Sequence, residues 1–134
     1  VVDARIQNHF TVDNNYNVFT HSGTKQSKFS LIETIKIYEE NQVGEILINS
    51  IDNDGLMSGY DIELIKKVSK EVEIPVVALG GAGTLSDMSL AINKGYASAV
   101  AAGSMFVYHG PRKAVLINYP SKDELFNFLN KWMF

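Results

Sequence analysis

Two stretches limit the folds open to this chain: Gly44-Glu-Ile-Leu-Ile-Asn-Ser-Ile-Asp-Asn-Asp-Gly55 and Pro75-Val-Val-Ala-Leu-Gly-Gly-Ala-Gly83. Each is an apolar run that stops abruptly in small, polar or acidic residues, and helix-like sequence follows each. A parallel strand ends this way when its carboxyl tip opens onto a binding site, because the backbone must turn sharply and present N–H groups there. Two such tips in tandem point to an α/β enzyme that handles phosphate groups.

The rest of the chain extends the same alternation. Val1 to Ala4 reads as the end of a strand with Asp3 near its tip, and Asn14 to Thr20 as one arm of a short hairpin. Ser30 with Glu33 has capping-box spacing and opens a helix carrying Leu31, Ile35 and Tyr38 on one face. Gly44 to Ser50 is a strand, Asp61 to Val72 a helix burying Ile62, Ile65 and Val68, and Pro75 to Leu79 a short strand buried on both faces. Thr84 to Asp87 starts a helix that ends near Gly95, Ala97 to Ala102 is a strand of small residues, and Ser121 to Glu124 caps a last helix. Strand and helix therefore alternate four times within a single domain over residues 1–134, which gives a parallel sheet with right-handed crossovers. A full (β/α)₈ barrel takes about 250 residues, so four units amount to half of one. Left open, they would expose two unpaired edges and an uncovered face. Another copy or a missing half is expected to cover them; a small open sheet with helices on both faces is the competing architecture.

Composition narrows the function classes. The net charge of −3 does not supply the basic stripe that nucleic acid requires. The absence of cysteine excludes disulfides and thiolate metal sites, and makes a reducing cytoplasm the natural default. No segment has the apolar length of a membrane span. The chain enters directly in strand-like sequence without a methionine, as a piece cut from something longer would.

Gly80, Gly81 and Gly83 follow a strand and precede a helix, where glycine amides can close around an anion; Ala102, Gly103 and Ser104 would complete that pocket. The spacing is not that of a dinucleotide fingerprint. A packing role for one of these glycines is the alternative, and a bulky residue at Gly81 is expected to abolish phosphate binding with the fold intact. Ser50, Asp52, Asp54, Gly55 and Asp61 fall in an EF-hand-like register, but a strand stands where that motif needs a helix. His9, His21 and His109 lack metal-ligand spacing and read as surface or loop residues; Trp132 and Phe134 read as packing for the last helix.

Val-Val-Asp-Ala-Arg at 1–5, Val18-Phe-Thr-His-Ser-Gly23, Ser50-Ile-Asp-Asn-Asp-Gly55, Ser58-Gly-Tyr-Asp61 and Leu79-Gly-Gly-Ala-Gly83 occur in an order and spacing that resemble the carboxyl-terminal half of HisF, the cyclase subunit of imidazole glycerol phosphate synthase. The resemblance runs from the fifth barrel strand to the end. It implies the carboxyl-terminal half of a TIM barrel and a synthase subunit of a glutamine-dependent amidotransferase. Such a subunit receives ammonia from a glutaminase partner and uses it on a phosphorylated sugar-type substrate, with no cofactor. It implies that Asp3 is one of two carboxylates serving as general acid and base, its partner lying on a first strand outside this chain. It places Asn49, Ser50, Asp52, Asp54 and Gly55 at the substrate, with Gly80, Gly81, Gly83, Ala102, Gly103 and Ser104 around a phosphate. It places Glu45 at the opposite end, where ammonia enters. Read from the residues alone, a strand-end turn residue is the favoured reading of Asp3, and a solvated charge that of Glu45.

Some positions depart from that pattern. Leu79 stands where a serine usually precedes the two glycines, Asn49 and Leu56 replace threonines, and Lys113 to Pro120 replaces the usual start of the eighth helix. These departures are similar to a branch of HisF-like proteins of surface-polysaccharide synthesis, in which the subunit conducts ammonia for amidination of a sugar. A cyclase, a non-catalytic conduit and an inactive self-associating half-barrel therefore all stand as readings of the sequence.

Overall fold

The computed structural model of the chain describes residues 1–7 and 16–130, so His9, Asn14, Asn15, Trp132 and Phe134 lie outside the described residues. The elements run β1 (Val2–Ile6), β2 (Tyr16–Thr20), β3 (Lys25–Ser30), α1 (Leu31–Glu40), β4 (Ile46–Ser50), α2 (Ile62–Glu71), β5 (Val76–Leu79), α3 (Leu85–Asn93), β6 (Ala99–Val100), α4 (Ser104–Val107), β7 (Tyr108–His109), β8 (Ala114–Val115) and α5 (Lys122–Asn130). β1, β4, β5 and β6 are parallel neighbours joined through helices, which makes this an α/β half-barrel of four βα units.

Local chemistry sets the helix starts. The Ser30 hydroxyl accepts from the Glu33 N–H while the Glu33 carboxylate accepts from the Ser30 N–H, and Thr84 with Asp87 repeats the exchange. Ser121 and Glu124 do the same before α5. Asp61 caps α2 through the Leu64 N–H at 2.9 Å, and its carboxylate also accepts from the Tyr16 hydroxyl at 3.0 Å, which ties the helix to β2. Asp61→Ala removes both bonds and is expected to lower stability by about 2 kcal/mol, read from the urea midpoint.

The sheet is wider than four parallel strands, with order β3-β2-β1-β4-β5-β6. β1 does not stop at Ala4 but continues to Ile6, because Asp3 to Ile6 pair antiparallel with Phe19 to Tyr16. The outer edge expected to be bare beside Asp3 is thus covered by the chain's own hairpin arm. At the other side β6 is two residues long rather than spanning Ala97 to Ala102, although the Ser98 and Ala101 N–H groups still bond to Val76 and Ala78 of β5.

Only one face of the sheet is packed. Val2, Ala4, Ile46, Ile48, Val76 and Ala78 are buried in one core with Leu31, Ile35, Leu64, Ile65, Val68, Met88 and Ala91 of the helices, each large side chain contributing about 1.5–3 kcal/mol by its burial. The alternate residues Leu47, Val77 and Leu79 are half-buried and Ala99 is exposed. β5 is therefore not buried on both faces: its second face, carrying Val77 and Leu79, is only half-buried. On the helix face of α2, Leu64 is buried with Ile65 and Val68, and Ile62 only borders the core. Tyr38 of α1 is likewise exposed.

Candidate active site at the carboxyl ends of the parallel strands

The register of β1, β4 and β5 sets Asp3, Asn49 and Leu79 side by side on the open face. Asn49 Nδ2 donates to Asp3 Oδ1 at 2.9 Å. Asn49 is 9% exposed, and its Oδ1 is buried with no hydrogen-bond partner among the described residues, directed at Gly80. An unmatched buried carbonyl costs about 1–3 kcal/mol; reversing the amide would set that oxygen against the carboxylate, so the orientation is fixed by Asp3. The pair lines an open pocket of about 200 Å³ with Ser22, Gly23, Ile51 and Asp54. Asp3 is half-buried and held by a donor, the setting of a carboxylate that can accept a proton at a defined place.

Ser22 and Gly23 reach this pocket from the β2–β3 turn, where His21, Ser22 and Gly23 all have positive φ (53°, 55° and 77°). They went unassigned in the sequence because the hairpin that folds back over β1 brings them there. His21 itself is exposed in that turn, its Nδ1 beside the Thr20 hydroxyl, and His109 is exposed in β7.

A second, shallow pocket, with room for about one water (about 10 Å³), adjoins the first. It is lined by Asp54, Gly55, Gly80, Gly81, Ala102, Gly103 and Ser104, together with Leu79, Ala82 and Ala101. Asp54 borders both pockets. The sequence-predicted cluster is thus brought together, with exceptions. The Gly83 N–H donates to Asp87 at 3.0 Å and so is turned into the α3 cap instead of the pocket. Ser50 points to the helix face and is buried, its carbonyl accepting the Asn53 and Asp54 N–H groups. Asp52 pairs with Arg5 at 3.1 Å and accepts the Ile6 N–H at 3.0 Å, which pins the loop after β4 to β1. With Asp52 engaged by Arg5 and Asp61 by the α2 cap and Tyr16, two of the three acids of the EF-hand-like register are committed elsewhere.

The glycines have a packing role as well. Gly80 and Gly81 take φ of 88° and 108°. A Cβ on Gly81 would overlap the Gly59 carbonyl, one on Gly83 the Met57 carbonyl, and one on Gly80 the Asn49 Oδ1 and Ser50 carbonyl. A bulky residue at Gly81 therefore cannot leave the fold intact, contrary to expectation from the sequence, because the β4–α2 loop lies directly on it. The same loop supplies Tyr60, 6% exposed, whose hydroxyl donates to the Ala101 carbonyl at 2.8 Å. Burial, with Asp87 nearby, pushes its phenol up to about 12. Its neutral form contributes stability fully below the ordinary tyrosine range near pH 10, and that contribution is lost as pH rises through about 12.

Glu45 lies at the other end of β4, exposed, in a pocket of about 210 Å³ with Val1, Val2, Tyr38, Val43 and Ile46. Among the described residues no helix is long and apolar enough to cross a membrane, and no group of acids and histidines forms a metal cage.

An α/β half-barrel with its polar residues gathered where the parallel strands end is the class in which barrel enzymes carry their active sites. The family model described as "Histidine biosynthesis protein" matches residues 2–111, and the chain belongs to that family. It is 48% identical over 109 residues to "Putative imidazole glycerol phosphate synthase subunit HisF" of Leptospira interrogans (81% of this chain, 43% of that protein). It is 44% identical over 110 residues to "Putative imidazole glycerol phosphate synthase subunit hisF2" of Pseudomonas aeruginosa (82% and 44%). To "Imidazole glycerol phosphate synthase subunit HisF" of Hyphomonas neptunium it is 44% identical over 105 residues (78% and 40%). The chain spans about two fifths of the length of these relatives. Residues 112–134, which include the exposed Val115, Leu116, Ile117 and Tyr119, lie beyond the family match.

Proposed function

We propose that this chain supplies the carboxyl-terminal half of a HisF-type synthase subunit, one that uses ammonia from a HisH-like glutaminase partner in a lyase-type ring closure on a phosphorylated, sugar-derived substrate. The observation that carries the reading is the adjacency of an oriented carboxylate, Asp3 on Asn49, and a pocket of backbone and small residues, with Asp54 between them. In this reading Asp3 exchanges a proton with the closing ring, and its complementary acid or base comes from the missing amino-terminal half. Gly55, Gly80, Gly81, Ala102, Gly103 and Ser104 receive a phosphate through their amides. Glu45 marks the entrance for ammonia at the far end of the strands. The test is to co-express the chain with the amino-terminal half of a HisF relative and supply the assembled pair with ammonium and the phosphorylated, sugar-derived substrate of that relative: formation of imidazole glycerol phosphate is expected, and none from an assembled, folded pair would refute the reading.

The phosphate pocket has its own test. Gly103 has an ordinary negative φ and open space around a Cβ, so Gly103→Asp adds a charge to the pocket without a clash. In the parent chain, inorganic phosphate at 100 times its Kd would stabilise the fold by about 2.7 kcal/mol and raise Tm. Gly103→Asp is expected to keep the phosphate-free Tm and lose most of that rise; a rise equal to the parent's would remove phosphate from this pocket.

A further inference from the structure

Resting on that reading of the pocket, we propose that Tyr60 is its positioning residue: it fixes the Ala102–Ser104 wall against the Gly80–Gly81 wall and so sets the affinity for a phosphate group.

The two walls follow different strands. Gly80 and Gly81 follow β5, whereas Ala102, Gly103 and Ser104 follow β6, a strand of only two residues. The Ala101 N–H bonds to the Ala78 carbonyl at 2.8 Å, which anchors the start of the second wall to β5. Its carbonyl is the acceptor that Tyr60 reaches across 41 positions of sequence. The backbone of Tyr60 is itself anchored to the first wall: the neighbouring Gly59 N–H donates to the Gly81 carbonyl at 2.8 Å, and the Gly59 carbonyl accepts from Asn53 Nδ2 at 3.0 Å. A continuous path therefore runs from Gly81 through Gly59 and the Tyr60 ring to Ala101, one residue before the second wall. Beyond Ala101 the wall is exposed at Gly103, and no side chain among the described residues caps the short α4 that follows. A hydroxyl that remains protonated at every working pH, as the raised phenol does, serves this purpose without switching.

Tyr60→Phe deletes only the hydroxyl and leaves the ring in the core, so the variant keeps its fold. Inorganic phosphate is the probe, titrated against both proteins while the amide signals of Ala102, Gly103 and Ser104 are followed by NMR. Tyr60→Phe is expected to bind phosphate about five- to ten-fold more weakly, as loss of one positioning hydrogen bond allows. Amide hydrogen exchange at Ala102–Ser104 should quicken in the variant, while β1 and β4 amides stay as they were. A residue that merely supports the fold would lower the phosphate-free Tm and leave the phosphate Kd alone. An unchanged Kd in Tyr60→Phe overturns the role of Tyr60 and leaves the pocket standing. Failure of the parent to bind phosphate overturns the pocket, and Tyr60's role with it.

Discussion

Gly81→Ala is expected to destabilise the chain by about 3–5 kcal/mol, enough to lower Tm by roughly 10–20 °C or to prevent folding at 37 °C. Two independent effects act at this residue. Its φ of 108° lies where a side chain is rarely tolerated, and the added methyl would occupy the space of the Gly59 carbonyl. Neither can be relieved cheaply. The Gly59 N–H is bonded to the Gly81 carbonyl, so moving the loop away breaks that bond and pulls on the chain that leads to Tyr60. Gly103→Ala is the matched control, since its methyl would meet nothing within 4 Å and its φ is −119°. That variant should melt within about 2 °C of the parent. Thermal melts of the two variants compare the same chemical change at two glycines of one pocket. Equal Tm values for both would show that the β4–α2 loop does not rest on Gly81.

The contrast between these glycines shows where the sequence was readable. Ser30 with Glu33, Thr84 with Asp87 and Ser121 with Glu124 announced three helix starts correctly, because a capping box is complete within four residues. The abrupt ends of β4 and β5 were legible for the same reason, since each strand stops where its apolar run gives way to small or polar residues. Clustering Gly80 and Gly81 with Ala102 to Ser104 also needed only strand ends. What the glycines touch was not legible: the Gly59 carbonyl against Gly81 and the Met57 carbonyl against Gly83 arrive from a loop more than twenty residues away. Asp52 carried the signature of a site residue, yet its partner is Arg5, which is 47 positions distant and brought close only by the parallel pairing of β1 and β4. Ser50 and Asn49 are adjacent in sequence and point to opposite faces, so strand phase alone separates the buried turn residue from the one that touches Asp3. Ser22 escaped because a hairpin, rather than a strand end, delivers it. Burial of β5 on both faces was the expectation from its continuous apolar run, yet Val77 and Leu79 are only half-buried, because an apolar run does not tell whether a second layer covers it.

Asp3→Asn is expected to lower ring-closing activity by about 10²–10⁴-fold in a barrel completed with an amino-terminal half, whether ammonia comes from a glutaminase or from ammonium salt. The substitution is nearly isosteric. An asparagine oxygen can still accept from Asn49 Nδ2, so the local geometry and the second pocket survive, while the ability to take up a proton is lost. This separates proton transfer from architecture. Tm and phosphate affinity should match the parent, and the loss should persist at saturating ammonium, which excludes a defect in delivery from the Glu45 end. Asn49→Leu makes the complementary change: it relieves the unmatched Oδ1 and removes the donor that orients Asp3. It should leave Tm unchanged or higher and reduce kcat by roughly ten-fold, less than removal of the acid itself. If Asp3→Asn retains activity within a factor of three, Asp3 is no more than a strand-end residue, and proton transfer falls to other groups of the completed barrel, Asp54 at the border of this pocket among them.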